Sequence, residues 1–467
     1  MNTEELFYLL KEQIPDLILE GNMREATAKI ERLEGTDTKY LQDLATILKA
    51  YLHFRIGKFK IAEDLLAPLD LRAWLESGSE IHAILYAMWM DVGGLIRIKT
   101  NRIDEGKEFF LNGIQLLEGR SIRCLELGNL YNDLFAAVFA EGDLKKSFEL
   151  LKKAEEIYIE FNNTRRMGHV FANISTVEVA RQRLEVAKMY SLKAEKIFEE
   201  TKSFQDLAYI YRNLGRIALY ENKVDDAFDF HRKSLEIRRV LGNPREISES
   251  LFYLIHAMVI FGKTNNDEYR AYMDELTKIV NDTDIEFIHV VWNLAKGLEL
   301  KKSKSLKDKF GSAAYFRKVI ESPYQNIEFN TIAYSNLLEL DLLELRALPD
   351  NQLLIEEIKF FFERLAELNR TREIKELQVL LAIMRSRMAL LSNDLSGAYT
   401  LLQNAKKEVG VEMDYLSALL NEEMKKMNAT LLSWQESINS SKEVFQRLNH
   451  EELLNYLRIA ADVTKSL

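Results

Sequence analysis

One cysteine, five prolines and nineteen glycines are spread through 467 residues, and each scarcity removes a class of protein. A lone Cys124 cannot close an internal disulfide or build a cysteine-rich zinc site, which fits a reducing compartment; by itself it reads as a small packing residue. So few prolines and glycines cannot punctuate an all-β fold or several interdomain linkers. No uninterrupted apolar run reaches the roughly 20 residues that cross a bilayer. His82 and Asp91 break one apolar stretch, and the stretch from Leu251 to Phe261 is too short. The N-terminal MNTEELFYLLKEQ carries Glu4, Glu5 and Glu12, so it lacks the basic start and apolar centre of a signal peptide. A cytoplasmic protein without a membrane span is expected.

Recognisable chemistry is equally sparse. There is no G-x-x-x-x-G-K loop, no G-x-G-x-x-G fingerprint and no G-x-S-x-G elbow, so no nucleotide cofactor is implied. No two of the seven histidines stand four apart, the spacing that turns two rings toward one metal, and the His450-Glu451 pair lacks the second histidine of a zincin motif. Acidic neighbours such as Asp225-Asp226 and Glu422-Glu423 point in different helical directions and cannot share a proton across a cleft. These features predict a non-enzyme without metal or cofactor; a distributed active site is the residual alternative. A net charge of −10, from 63 basic and 73 acidic residues, repels a phosphate backbone and argues against nucleic acid as a partner.

What the chain does have is helix-forming sequence in a repeating pattern. Hydrophobic residues at 47% and charged residues at 29% suit a packed core with a solvated surface. Polar turns followed by a small residue open amphipathic runs at GKFKIAEDLL from Gly57, EGDLKKSFELL from Glu141, ENKVDDAFDFH from Glu221 and SNDLSGAYTLL from Ser392. Taken as register marks, Ser147, Ala187, Ala227 and Asp267 stand at a constant 40-residue interval. Upstream of them Tyr131 and Leu134, Phe171 and Ile174, and Tyr211, Leu214 and Gly215 put an aromatic and an aliphatic side chain on one helical face. In the downstream helix Ala187 and Ala194, or Ala227 and Ser234, supply small residues where two helices cross.

Tyr211, Leu214, Gly215, Ala227 and Ser234 resemble the tetratricopeptide repeat signature. The 40-residue period is similar to a variant found in spindle-orientation adaptors of the Pins type and in large prokaryotic regulators, above all at HRKSLEIRRVLGNPREISES from His231 to Ser250. The resemblance implies an all-α, right-handed α-α superhelix, a solenoid of antiparallel helix pairs with roughly ten to eleven hairpins. It covers about residues 40 to 410, is clearest over 125–275, and loses its register over 285–367. The expected organisation is therefore a repeat array over 1–410 and capping or dimerisation helices over 411–467, where Met413, Met424 and Met427 form either a cap or a homodimer surface. Lys301 to Lys309, KKSKSLKDK, reads as an internal loop or irregular helix, with a phosphate patch as the alternative. Pro323, Pro349 and the segment from Ala347 to Gln352 read as breaks between pairs.

The same resemblance implies a concave groove that holds a partner peptide or helix. With Gly215 as the eighth position of its repeat, the groove positions fall on Tyr209, Arg212, Asn213, Arg216 and Tyr220. Neighbouring repeats add Asn132, Asp133, His169, Asn173 and Thr176 on one side and Phe252, Tyr253 and His256 on the other. Asn173 and Asn213 are similar to the asparagine ladder that grips extended ligands by their backbone, or they bond a neighbouring helix. Arg212 and Arg216 share a helix face and would grip an acidic partner, or pair with Asp225, Asp226 or Asp229. The function expected is a protein-binding scaffold or adaptor; the alternative is a peptide- or ligand-sensing module of a signalling or transcription regulator.

Overall fold

The computed structural model describes residues 2–19, 21–69, 71–100, 102–181, 183–345, 351–370, 375–391, 394–409 and 414–440. The chain is all-α: it has 22 helices and no strand among the described residues. It divides into two compact units, residues 1–178 with 186–207 and residues 179–185 with 208–467.

The first unit contains α1 (Thr3–Leu19), α2 (Met23–Glu34), α3 (Lys39–Arg55), α4 (Phe59–Leu66), α5 (Leu71–Glu76), α6 (Glu80–Lys99), α7 (Ile103–Gly119), α8 (Leu125–Glu141) and α9 (Leu144–Glu160). It also holds most of α10 (Thr164–Ala180) and α11 (Leu184–Glu200) and the start of α12 (Phe204–Tyr220). The second unit continues with α13 (Val224–Leu241), α14 (Pro244–Ile260), α15 (Asp267–Asp282), α16 (Glu286–Lys301), α17 (Leu306–Glu321), α18 (Ile327–Leu345), α19 (Gln352–Arg370), α20 (Lys375–Leu391), α21 (Leu395–Val409) and α22 (Asp414–Ser440). Successive helices pair as hairpins, α6 with α7 and α8 with α9 in one unit, α16 with α17 and α20 with α21 in the other. The first helices of neighbouring pairs also touch, as α3 with α6, α6 with α8, α14 with α16 and α18 with α20. Each unit thus has a continuous layer of first helices, the arrangement of tetratricopeptide-like helical repeats.

Turn chemistry explains the regularity. Gly142, Asn162, Lys202, Asn222, Gly242 and Gly262, spaced at multiples of 20 residues, all take positive φ and close the turns between helices. Gly142 and Gly242 stand there without a Cβ penalty, whereas Lys202 adopts the same conformation with a side chain. Asp143 then caps α9 by accepting from the Lys146 N–H at 2.9 Å, and Asn243 caps α14 with Pro244 at its first turn.

The packing follows the small residues. Ser147, Ala187 and Ala227 are each the fourth residue of their helix and fully buried. Asp267 does not continue that series. The connection from α14 to α15 carries extra residues around Asn265, so Asp267 is the first residue of its helix and exposed, and the register slips there. Glycines on first helices admit a large side chain from the second helix: Gly94 faces Phe110, Gly128 faces Tyr158, Gly168 faces Phe198 and Gly215 faces His231. A Cβ on Gly94 would sit 2.4 Å from Phe110 Cε1, a ring that is fully buried and cannot swing away. Gly94→Ala is therefore expected to lower stability by about 1–2 kcal/mol in urea titration, overpacking exceeding the helix-propensity gain of alanine. An unchanged or higher midpoint would show that Phe110 relaxes.

Helix α6 is, among the described residues, the one long and apolar enough to cross a membrane by length and composition, and 67% of its apolar window is buried inside the chain. Its neighbours α3, α7 and α8 cover it. The lysine-rich run splits: Lys301 ends α16 and pairs with Glu339, residues 302–305 form the connection, and Leu306 opens α17. Pro323 lies between α17 and α18, while Pro349 lies outside the described residues. Of the C-terminal segment, α22 is described and Met427 is buried in it; Met413 and residues 441–467 lie outside the described residues.

Candidate functional site

Within the first unit a cleft of about 320 Å³ opens along the layer of first helices. Asp91 reaches it from α6, Asn129, Asn132 and Asp133 from α8, and Arg166, His169 and Asn173 from α10. These side chains converge because residues one helical turn apart, such as Asn129 and Asp133 or Arg166, His169 and Asn173, share a face. Lys11 of α1, Tyr51 and Arg55 of α3 and Tyr158 of α9 complete the wall.

The polar groups are partly tied together. Asn173 Nδ2 donates to Asn132 Oδ1 at 2.9 Å, and Asn132 Nδ2 donates in turn to Asp133 Oδ1 at 3.0 Å. Tyr158 donates its hydroxyl to Asn129 Oδ1 at 2.8 Å. Lys11 Nζ donates to Glu126 Oε1 at 2.9 Å, both side chains being buried. Burial opposes either charge, but their mutual attraction wins: Lys11 is held up and Glu126 down, so both stay ionised. Asp91 and Asp133 behave differently. Burial raises both carboxyls and the charge of Asp133 raises Asp91 further, whereas hydrogen bonds from Asp91 and Asn132 favour the ionised Asp133. Burial and mutual repulsion thus oppose ionisation of both carboxyls at once, more strongly at Asp91. Burial lowers His169 despite Asp206 at 3.7 Å, leaving the ring neutral.

Four buried polar atoms of this wall have no hydrogen-bond partner: Asp91 Oδ1, Glu126 Oε2, Arg166 Nη1 and His169 Nε2. Buried polar groups are normally satisfied, so four orphans around one cleft leave hydrogen-bonding capacity open to whatever polar group or water enters it. Four cations (Lys11, Arg55, Lys99 and Arg166) line the cleft with three acids, Glu126, Asp91 and Asp133, and burial disfavours charge on the two aspartates, which leans the cleft positive in a chain that is negative overall.

In the second unit the remaining groove residues are brought together but bind one another. Arg212 Nη1 lies 2.8 Å from Glu249 Oε1 and its guanidinium stands over the rings of Tyr209 and Tyr253. Arg238 Nη1 holds the other oxygen of Glu249 at 2.7 Å. Arg216 approaches Glu328 at 3.9 Å, and Tyr253 donates its hydroxyl to the same glutamate at 3.1 Å. The arginines thus pair with acids of α14 and α18, neither with Asp225 and Asp226 nor with Asp229. Asn213 and Tyr220 are buried. His256 stacks on Phe252, and His231 on Tyr253. Burial and the nearby Arg216 push His231 down to about 3, and burial takes His256 down to about 4, so both rings are neutral.

Sequence reasoning named Asn132, Asp133, His169 and Asn173 but missed Lys11, Asp91, Glu126 and Arg166. The available signal was Asp91, a carboxylate in the middle of an otherwise apolar helix, and Arg166, which precedes His169 by one turn on the same face.

No protein-family model matches the chain, and no curated protein matches its sequence. Solved structures do match. The chain has the fold of tetratricopeptide-like helical repeat proteins. It is similar to a Rap protein complexed with competence and sporulation factor, with a TM-score of 0.57 at 14% identity over 80% of this chain and 100% of that one. The apo form of the quorum sensor NprR from B. thuringiensis gives 0.55 at 13% identity, covering 79% and 99%. NprR in complex with its cognate peptide NprX gives 0.54 at 14% identity, covering 76% and 98%. At these identities the likeness is one of fold.

Proposed function

We propose that this chain is a non-catalytic cytoplasmic binding module that takes a peptide segment of another molecule into the cleft of its first unit. The observation that carries this reading is the set of four orphaned buried polar atoms around that cleft. A peptide brings alternating N–H donors and C=O acceptors, the mixture these groups lack, and Asn132 and Asn173 can bond its backbone without reading its side chains. A similar structure, NprR, was solved in complex with its cognate peptide NprX, which supports the reading. The size of the cleft favours a short segment, and hence the sensing role over an extended scaffold groove.

Selection of binders from a randomised hexapeptide library on the full chain tests this. Selected peptides are expected to weaken at least about tenfold with Asn132→Ala and Asn173→Ala, each amide contributing about 1–2 kcal/mol, while Asn213→Ala leaves affinity unchanged. Binders insensitive to both cleft variants would refute the location, and an empty selection the function. A sensing module should also change its scattering profile on peptide binding, where a passive adaptor would not.

A further inference from the structure

We propose that the ligand of the first-unit cleft enters it carboxylate first, with Arg166 as the docking group. The inference rests on the peptide-binding reading and adds the chemistry of the group recognised. Arg166 is 7% exposed, lines the cleft, and leaves Nη1 without a partner. Arg212 and Arg238 pair with Glu249, and Arg387 pairs with Glu423 and Glu339. Among the described residues Arg166 has no such ion pair. The acids that act on it at longer range are Glu126, Asp16, Asp91 and Asp133, and Glu126 is already taken by Lys11 at 2.9 Å. A guanidinium withdrawn from water without a direct ion pair is a costly arrangement, and a planar fork with a vacant donor matches a carboxylate better than any other group a peptide carries.

The surroundings favour an anion over a cation. Burial disfavours charge on both Asp91 and Asp133, and Asn132 already donates to Asp133. Arg55 and Lys99 stand in the same wall and add positive potential. A basic ligand group would meet four cations. Asn129 and Asn173 can bond the amide next to the docked carboxylate. The carboxylate can be a peptide C-terminus or an aspartate or glutamate side chain.

Three hexapeptide pools separate these sources on the full chain: free-acid peptides without Asp or Glu, C-terminally amidated peptides containing Asp or Glu, and amidated peptides with neither. Binders are expected from the first or second pool and not from the third, and which of the two responds identifies the source. For a selected binder, Arg166→Gln is expected to weaken affinity about thirtyfold or more, as loss of one partner of a buried charge pair does. Arg166→Lys keeps the charge, guards against misfolding of the glutamine variant, and should fall between the two. Tight binders from the third pool, or affinities within a factor of two in both variants, would overturn the proposal while leaving peptide binding intact. Failure of all three pools would overturn peptide binding itself.

Discussion

Glu249→Ala is expected to destabilise the chain by about 3 kcal/mol, the scale on which breaking a buried ion pair acts. The side chain is 21% exposed and grips Arg212 at 2.8 Å and Arg238 at 2.7 Å, themselves 14% and 5% exposed. Removing it leaves two buried guanidiniums facing each other without a counter-ion, which costs more than the lost hydrogen bonds alone. The titration of Glu249 gives an independent reading. Burial would push its carboxyl up, but Arg212 and Arg238 overcome that and hold it down to about 2. A depressed carboxyl contributes stability that is present above its unfolded value and is lost as pH falls toward 2. Urea unfolding at pH 7 and near pH 3 should therefore show the wild type losing part of its advantage over Glu249→Ala as the pH drops. A difference below about 1 kcal/mol at pH 7 would mean that solvent reaches the network and screens it. Arg212→Met combined with Glu249→Ala should cost less than the sum of the two single changes, since both remove one interaction.

This network also shows where sequence reading stops. That Arg212 and Arg216 share a helix face was legible, because side chains four apart on a helix must. Their partners were not. Glu249 lies 37 residues further on, in the first helix of the next repeat, and Glu328 further still. Nothing in local spacing reveals which acid a neighbouring helix will present. The marks Ser147, Ala187 and Ala227 were readable for the opposite reason: helix crossings demand small residues, and the demand recurs with each repeat. Asp267 was misread because an even interval was extended across a longer turn. Register placed Asn132, Asp133, His169 and Asn173 together, and one cleft holds all four, yet two of the charges beside them, Lys11 and Asp91, come from α1 and α6, whose sequences carry no clear repeat mark. Asn213 occupies the same register position as Asn173 but is buried, so equal register does not ensure equal exposure.

Asp341→Asn is expected to remove a pH dependence that the wild type shows between mildly acidic and neutral conditions. Asp341 of α18 is 3% exposed, and its Oδ2 has no hydrogen-bond partner. It faces a cavity of about 230 Å³ with Arg317 of α17, Glu344 of its own helix and Glu357 of α19. Burial raises its carboxyl most, the charges of Glu357 and Glu344 add to that, and Arg317, committed to Glu357 at 2.7 Å, offsets only part; the result is about 7. The folded chain thus holds a proton that the unfolded chain has released once pH passes the ordinary carboxylate value. Stability from this residue is full below that value, declines as pH rises toward 7, and is flat above it. The span corresponds to roughly 3–4 kcal/mol. Asparagine keeps the shape and carries no charge, so at pH 8 the variant should be the more stable form, and near pH 4 the two should converge. Every other titrating group is common to both chains, so the difference between their urea midpoints across pH isolates this carboxyl. Parallel curves would mean that water enters the cavity and solvates the ionised acid. Arg317→Gln should push the wild-type decline to higher pH, because it removes the cation that partly offsets Glu357.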